Sequence, residues 1–208
     1  MLRSKIRKLT AELSKYKMNC HTEETHIIIN DVWESIRAND DKAIEIYESF
    51  GPTARHRIMN INEYRRGFVL GFEDFKFGEY NWMKRVVFLN LEKISLKQPK
   101  ERNIYEYNHF TLGETPNGSW GYGYHYTFGN GGSSGSCLSV YNTFYPTKEE
   151  CTIEALKFLK KNFEEQLSRM DCSKSQRIYC QNILNVLNEK LKPKLNYAVN
   201  KKGQILLF

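Results

Sequence analysis

The chain has 208 residues, of which 40% are hydrophobic and 13% aromatic, and its formal net charge is +7. This composition supplies enough apolar side chains for a packed core and excludes an intrinsically disordered chain. No apolar run approaches the ~18 residues that a membrane-spanning helix needs, and the charged N-terminus lacks the apolar segment of a secretory signal. We therefore expect a soluble cytoplasmic protein with no membrane partner, built as one long domain or two small ones.

The charge balance and the cysteines bear on the partner and on the compartment. An isoelectric point near 9.1 favours acidic partners such as nucleic acid, a ribonucleoprotein or an acidic protein surface. The five cysteines are scattered through the chain without a C-x-x-C pair. Their odd number and wide spacing are typical of free thiols in a reducing compartment and not of a disulfide framework.

The first half is predicted to be mostly helical. Apolar residues recur with helical spacing over 2–17, and basic side chains occupy the other faces of this first helix. Two interpretations of it stay open: a terminal helix docked by its apolar stripe, or a basic arm that contacts nucleic acid or a partner. The helical pattern resumes from about Thr25 to Phe50, where "ANDD" (38–41) divides it into two helices and a Gly-Pro pair ends it.

Residues 60–98 carry a mixed pattern. Aromatic residues from Tyr64 to Phe75 follow helical spacing, but two glycines and many β-formers within the same stretch keep a strand open as the alternative. Residues 85–96 fit a buried strand or a short apolar helix equally well. The polar stretch "KQPKER" (97–102) is the candidate linker, so the predicted domain boundaries are 1–98 and 99–208.

The second half is predicted to contain three strands followed by two helices. Residues 103–112 alternate, "GETPNG" (113–118) is typical of a turn, and the two halves of "SWGYGYHYTFGNGGSSGSCLSVYN" (119–142) supply the other strands. Thr147 and Glu150 form a capping box that starts one helix. A second helix is predicted over 173–191, and residues 195–208 favour a small hairpin. The expected fold class is α+β, with a mostly helical N-terminal half and an antiparallel β-β-β-α-α C-terminal half.

The motifs do not assemble into a catalytic set. Gly131–Gly135 matches G-x-S-x-G, but a nucleophile elbow needs a helix after the serine, and here a strand is predicted. The same loop lacks the lysine and the helix start of a phosphate-binding loop, so we interpret it as a long, mobile hairpin tip. Among the acidic residues, Asp74 with Lys76 comes nearest to the site of a metal-dependent nuclease. The sequence therefore predicts no catalytic residues and a protein that is not an enzyme.

Potential metal ligands are also sparse. Cys20, His21 and His26 are close in sequence, but a structural zinc site needs four ligands, usually as close pairs from two places. His109 and His125 each stand alone in the sequence. We predict no metal site and no cofactor.

The strand at 120–128 carries aromatic residues on one face and small or polar residues on the other. The aromatic face fits either a buried core or a platform on which unpaired bases stack. Because residues 119–145 contain no Lys or Arg, the charge pattern favours core or a protein interface over a nucleic-acid groove. The contact candidates on this strand are Trp120, Tyr122 and Tyr124.

Short basic clusters lie in the aromatic-rich part of the first half. They fit either a solvated surface or a docking place for RNA, because arginine both pairs with phosphate and stacks on bases. The contact candidates in this region are Arg55, Arg57, Arg65, Arg66, Tyr80, Trp82, Lys84 and Arg85.

The stretch "GSWGYGYHYTFGNGGSSGS…FYPTKEECTIEALKFLKKNFEE" resembles a small uncharacterised domain of proteins from bacterial plasmids, phages and integrative elements. The shared pattern is an aromatic-glycine hairpin followed by a helix with a T-x-x-E cap, and it covers about residues 103–191. Proteins of this size on such elements include anti-CRISPR inhibitors of RNA-guided nucleases. The resemblance supplies no catalytic residue.

From these observations we expect a non-enzymatic mobile-element protein that binds and inhibits a host nucleic-acid machine, such as the ribonucleoprotein of a CRISPR effector nuclease. A direct RNA- or DNA-binding protein is the alternative. A metal-dependent nuclease with an unrecognised site is a further one.

Overall fold

A computed structural model describes residues 2–17, 22–96, 108–129 and 132–201 of the chain. The protein divides into two compact units, Met1–Val86 and Val87–Phe208. The fold class is α+β, as the sequence predicts, with helices first and a sheet followed by two helices. The elements are α1 (Leu2–Lys17), α2 (Glu23–Ala38), α3 (Asp41–Ser49), α4 (Ala54–Val69), β1 (Leu89–Ser95), β2 (His109–Glu114), β3 (Trp120–Thr127), β4 (Ser133–Ser136), β5 (Phe144–Tyr145), α5 (Lys148–Ser168) and α6 (Lys174–Lys201).

The division between α2 and α3 follows from two adjacent residues that favour helix ends. Asn39 adopts a left-handed conformation, with φ of 53°, and its N–H donates to the carbonyl oxygen of Ile36. Asp40 then caps α3, because its carboxylate accepts a hydrogen bond from the N–H of Ala43 at 3.0 Å. The predicted split of this region at 38–41 is confirmed.

The core of the first unit lies among its four helices. Leu9 and Leu13 of α1 are buried with Ile28 and Ile29 of α2 and with Ile58 of α4. The apolar stripe of α1 is thus packed into the helical core, as the docked-helix interpretation requires. Burial of this kind contributes about 25 cal/mol for each Å² of apolar surface removed from water.

The helix predicted to start near Asn60 begins earlier, at Ala54, and ends at Val69, before the last aromatic residues that the prediction included. Thr53 caps it, with the side-chain oxygen 3.4 Å from the N–H of His56, so α4 begins at Ala54. Gly71 has a φ of +87°, which the right-handed helix does not allow, and the N–H of Phe72 turns back to the carbonyl oxygen of Gly67. Phe72 and Phe75 therefore lie beyond the helix, and the predicted helical spacing of the aromatics is wrong after residue 69.

Residues 89–95 form β1, which belongs to the sheet of the second unit. The strand interpretation of this stretch holds, but β1 is largely exposed and not buried. The units divide between residues 86 and 87, whereas the sequence placed the boundary after residue 98. The predicted linker at 97–102 lies outside the described residues.

The sheet of the second unit is antiparallel, with the strand order β1-β2-β3-β4 and β5 paired to the first residues of β3. In β1 the register shifts between Leu89 and Glu92, and Asn90 has a positive φ of 45°. These are the marks of a β-bulge, which interrupts the ladder at this point.

Helices α5 and α6 cover the aromatic face of the sheet. Thr147 caps α5 by accepting a hydrogen bond from the N–H of Glu150 at 3.2 Å, which confirms the predicted helix start. Tyr126 is buried under the helices, and its hydroxyl donates to Asn162 of α5 at 2.8 Å. The helix residues buried in this core include Cys151, Leu159, Phe163, Cys180 and Leu187.

The opposite face of β3 is covered by the segment of residues 137–144 and not by a helix. The ideal Cβ position at Gly123 lies 2.4 Å from the backbone nitrogen of Leu138, and that at Gly121 lies 2.7 Å from the ring of Phe144. A side chain at either position would therefore collide with residues 137–144, which pass directly over the strand.

Two sequence-based expectations for this half are corrected. The strand after the hairpin tip, β4, lies inside the Gly/Ser run, because Ser-Ser-Gly-Ser pairs with β3 through backbone alone. Helix α6 continues past Pro193 to Lys201, so a hairpin strand at 195–201 is wrong. Residues 202–208 lie outside the described part. No helix in the described part is long and apolar enough to cross a membrane.

Replacing Gly123 with alanine tests the close approach of the covering segment. We expect the free energy of unfolding to fall by about 1–3 kcal/mol, because the new methyl group overlaps backbone atoms that cannot swing aside. Urea denaturation followed by circular dichroism measures the change. Thr111→Ala is the matched control, since Thr111 pairs with Gly123 across β2 and β3 and loses atoms without a collision. It should cost less than about 1 kcal/mol, and an equal loss in both variants would contradict the packing described.

The buried thiols predict how stability depends on alkaline pH. Burial raises the pKa of Cys151 to about 12 and that of Cys180 to about 11. An unfolded chain loses these protons nearer pH 9, so the folded state holds more protons at high pH and the free energy of unfolding should fall as the pH rises above 9. Cys151→Ala should make this decline shallower in urea titrations from pH 7 to 10. Cys137→Ala, which removes an exposed thiol, should leave the decline unchanged.

Candidate nucleic-acid interface

A tight hairpin follows α4 and presents three exposed aromatic residues, Phe77, Tyr80 and Trp82. It spans residues 76–84 and is called the 76–84 hairpin below. Phe77 and Met83 form an antiparallel bridge, and the N–H of Lys84 donates to the carbonyl oxygen of Lys76 at 2.7 Å. The two arms are thereby held in register.

The turn of the 76–84 hairpin fixes the direction of Trp82. The N–H of Gly78 donates to the carbonyl oxygen of Trp82 at 2.7 Å, and Asn81 closes the turn with a left-handed φ of 61°. Side chains alternate between the faces of a strand. Trp82 and Lys84 therefore share one face of the hairpin, while Met83 faces the other way.

The side chain of Asn60 fastens the 76–84 hairpin to α4. Asn60 is 2% exposed, and its amide group donates to the carbonyl oxygens of Phe50 at 2.7 Å and Asn81 at 2.8 Å. Its amide oxygen accepts the N–H of Met83 at 2.9 Å. A buried asparagine with three partners of this kind is well satisfied, and it joins the end of α3, the hairpin and α4 at one point.

Trp82 lies against the first turn of α4. Its indole stacks on the ring of His56, with the ring centres 4.2 Å apart and the planes 30° from parallel. His56 is itself held by Thr53, whose hydroxyl oxygen is 2.7 Å from Nδ1 of the imidazole. Arg55 places its guanidinium carbon 6.0 Å from the indole centre. Trp82 is 39% exposed, so a rigidly held aromatic surface is open to solvent.

The basic residues at the start of α4 oppose the usual charge preference of a helix. The N-terminus of a helix favours acidic residues, yet the first turn of α4 contains none. Arg57 has a structural partner, because its guanidinium lies 3.3 Å from Glu12 and 5.5 Å from the ring centre of Tyr47. Within the described residues Arg55 has no ion pair. A charge placed against the helix dipole without an ion-pair partner is the kind of local conflict expected at a functional residue.

Three further side chains of the same segment are exposed. Tyr80 is 74% exposed in the turn of the hairpin. Lys84 and Arg85 are exposed and have no ion pair among the described residues. The acidic residue of the hairpin is Glu79, in the turn. We call Arg55, Tyr80, Trp82, Lys84 and Arg85 the aromatic-basic surface.

The other arginines of the predicted set hold the helices of the first unit together. Arg65 pairs with Asp31 of α2 at 2.7 Å, and Arg66 pairs with Glu24 of the same helix at 2.7 Å. Together with Arg57 they link α4 to its neighbours. A role in partner binding for these three arginines stays a prediction, and the structure gives each of them an intramolecular partner.

The predicted aromatic residues of the second unit also have partners. Trp120, Tyr122 and Tyr124 are half-buried on the helix-facing side of the sheet. The ring of Tyr124 lies 4.6 Å from that of Phe158, and the ammonium group of Lys148 lies 5.4 Å from the Trp120 ring centre. Burial raises the pKa of Tyr122 well above its ordinary value. Their contact role also stays a prediction.

The pairs considered for metal or nuclease chemistry do not form a larger cluster. Asp74 and Lys76 form a surface ion pair at 2.6 Å, with both side chains at least 68% exposed. No group of three or more His, Cys, Asp or Glu side chains in the described part could hold a metal ion. Cys20 and His21 lie outside the described residues.

Two residues of this site were missed at the sequence level. His56 stands between two arginines, and the only signal for it was its proximity to the predicted basic cluster. Asn60 gave no signal, because its partners are distant in sequence. No family model, curated protein or solved structure matches this chain.

Replacing Asn60 with alanine tests whether the hairpin depends on this one amide. The substitution leaves two carbonyl groups and one N–H without partners, and we expect a loss of about 2–3 kcal/mol in the free energy of unfolding. The emission of Trp82 should also shift to the red as the hairpin loosens. Asn62→Ala is the matched control, since Asn62 makes a single long bond to Arg66 at 3.3 Å. Equal effects of the two substitutions would contradict the anchoring role.

Proposed function

We propose that this chain is a non-enzymatic binding protein whose first unit binds single-stranded nucleic acid, RNA above all, through the aromatic-basic surface. The observation that carries the proposal is the exposed, rigidly supported Trp82 with Arg55 beside it. Unpaired bases are the ligands that such a surface recognises, because bases in a duplex have their faces covered by their neighbours.

Stacking supplies the first part of the binding energy. Each base stacked on an aromatic side chain contributes about 1–3 kcal/mol, and the contribution depends little on sequence. The indole of Trp82 is held in place by His56 and by the pairing of the hairpin, so little side-chain freedom remains to be lost on binding. Tyr80 in the turn offers a second exposed ring.

Electrostatics supply the second part. Arg55, Lys84 and Arg85 are cationic, and none of them has an ion pair among the described residues. Phosphate contacts made by such groups release counterions, so affinity for a single strand falls as salt is added, with a slope of roughly 0.7 per phosphate neutralised. Arginine adds a planar guanidinium that both pairs with phosphate and stacks on a base.

A more specific form of this proposal takes the partner expected from the resemblance, a host ribonucleoprotein, as the source of the RNA. RNA exposed on an RNA-guided nuclease presents unpaired bases and phosphates, which the aromatic-basic surface fits chemically. Inhibition of such a nuclease stays a prediction. It is tested by adding the purified protein to a cleavage reaction, where substitution at Trp82 should relieve any inhibition.

The direct test is fluorescence anisotropy with a short labelled single-stranded RNA of mixed sequence. Trp82→Ala should weaken binding about 5- to 150-fold, the range expected for one lost stacking contact. Replacing Arg55, Lys84 or Arg85 with glutamine should each lower the slope of log affinity against log salt by roughly 0.7–1. Duplex RNA should bind more weakly than the single strand.

Two substitutions serve as matched controls for these variants. Trp120→Ala removes a tryptophan from the second unit, and Arg65→Gln removes an ion-paired arginine from α4. Both should bind RNA as the unaltered protein does, provided circular dichroism shows that they fold. The proposal is wrong if RNA does not bind at low salt, or if Trp82→Ala binds as tightly as the Trp120 control.

A further inference from the structure

Two histidines that are remote in sequence meet on the sheet of the second unit. His109 of β2 lies directly opposite His125 of β3. Ser95 of β1 is paired with His109 on one side, and Gly135 of β4 is paired with His125 on the other. The four residues form one row across four strands. Directly paired residues point to the same face of a sheet, so both imidazoles and the serine hydroxyl share a face.

This face is the one turned away from α5 and α6. Phe110 and Tyr126, the chain neighbours of the two histidines, belong to the core under the helices, and side chains alternate along each strand. The imidazole rings are 5.7 Å apart between centres and 18° from parallel. Both residues are half-buried, so the pair is partly shielded from water and still accessible.

The residues at the two ends of the row, Ser95 and Gly135, also suit the binding of a small ligand. The hydroxyl oxygen of Ser95 is buried, and it has no hydrogen-bond partner among the described residues. A buried polar atom of this kind is uncommon and calls for a partner such as water or an ion. At Gly135 the ideal Cβ position lies 3.2 Å from Cδ2 of His125, so any side chain there would press on the imidazole.

We propose that His109 and His125 bind a divalent transition-metal ion, with the Ser95 hydroxyl beside it and water completing the coordination. Neutral imidazole nitrogen is a good ligand for Zn²⁺, Ni²⁺ and Cu²⁺, whereas Mg²⁺ and Ca²⁺ select oxygen. Each imidazole has two nitrogens, one for the metal and one to hydrogen-bond a neighbouring group, which is how metal-binding histidines are normally held. This site lies in the second unit and does not depend on the proposed RNA-binding function.

The number of protein ligands also limits the affinity of such a site for its ion. Two protein nitrogens are fewer than the three ligands of a catalytic zinc site or the four of a structural one. An ion that binds the folded state alone adds to the stability of the second unit by mass action. The site is therefore an exchangeable one, able to take up and release its ion.

Calorimetric titration of the full chain with zinc chloride, and separately with nickel chloride, tests the proposal. His109→Ala and His125→Ala should each weaken binding at least tenfold, the order of loss that even an outer-shell partner causes. Ser95→Ala should give a smaller loss in the same direction. His56→Ala and Cys137→Ala are the matched controls, and they should bind the metal as the unaltered chain does. If both His109→Ala and His125→Ala bind as tightly as the controls, the site does not exist.

A second measurement covers the case in which the histidine variants fold poorly. Zinc added to the unaltered protein, labelled with ¹⁵N at histidine, should shift the ring nitrogen signals of two residues together at a single affinity. Assignment through His21→Ala, His26→Ala and His56→Ala should leave His109 and His125 as the residues affected. Shifts confined to the other histidines, or no shift at saturating zinc, would overturn the proposal.

Discussion

Alternation of aromatic residues and glycine along β3 is the constraint on which the second unit depends. One face of the strand carries large rings and is met by α5 and α6, with Tyr126 buried beneath them. The other face carries no side chain at Gly121 and Gly123, so residues 137–144 come within direct contact of the strand backbone. β3 is thus covered by two helices on one side and by a single segment of chain on the other.

On the side away from the helices, only residues 137–144 cover β3, and they lie over its glycines. We therefore expect the part of this face beyond the glycines to be open to a ligand. The covering segment reaches the glycines, where Leu138 and Phe144 fill the space. His125 follows on the same face of the same strand, paired with His109 and flanked by Gly135. The same period of two that brings the glycines together therefore places the histidines in line beyond them.

The first unit is organised around a polar contact and not around its apolar core alone. Asn60 satisfies groups from three separate segments with one amide. Because breaking these hydrogen bonds would leave buried polar groups without partners, they hold the hairpin against α4. That position brings Trp82 onto His56, which is why the exposed ring is held in place.

Local signals in the sequence predicted much of this fold. Helix ends at Asn39, Asp40 and Thr147 follow from capping chemistry that acts within a few residues. The aromatic alternation of β3 likewise predicted which side chains share a face. What could not be predicted depends on tertiary structure. The ion pairs of Arg65 and Arg66 require the packing of α4 on α2.

The other features that the sequence did not predict also depend on tertiary structure. The strand β4 consists of serine and glycine, and its pairing uses backbone groups that leave no pattern in the sequence. The meeting of His109 and His125 depends on the register that the turn between β2 and β3 imposes, with the N–H of Thr115 bonded to the carbonyl oxygen of Ser119 at 2.8 Å. A shift of one residue would have placed the histidines on opposite faces.

The bulge in β1 has a consequence for how this protein behaves at high concentration. β1 lies at one end of the strand order, and an edge strand with exposed leucines invites another chain to add a strand. The positive φ at Asn90 breaks the row of backbone groups after Leu89. A foreign strand would meet a regular ladder only over residues 92–95, which leaves it fewer backbone groups to pair with. A bulge of this kind is one of the features by which edge strands disfavour the addition of another chain.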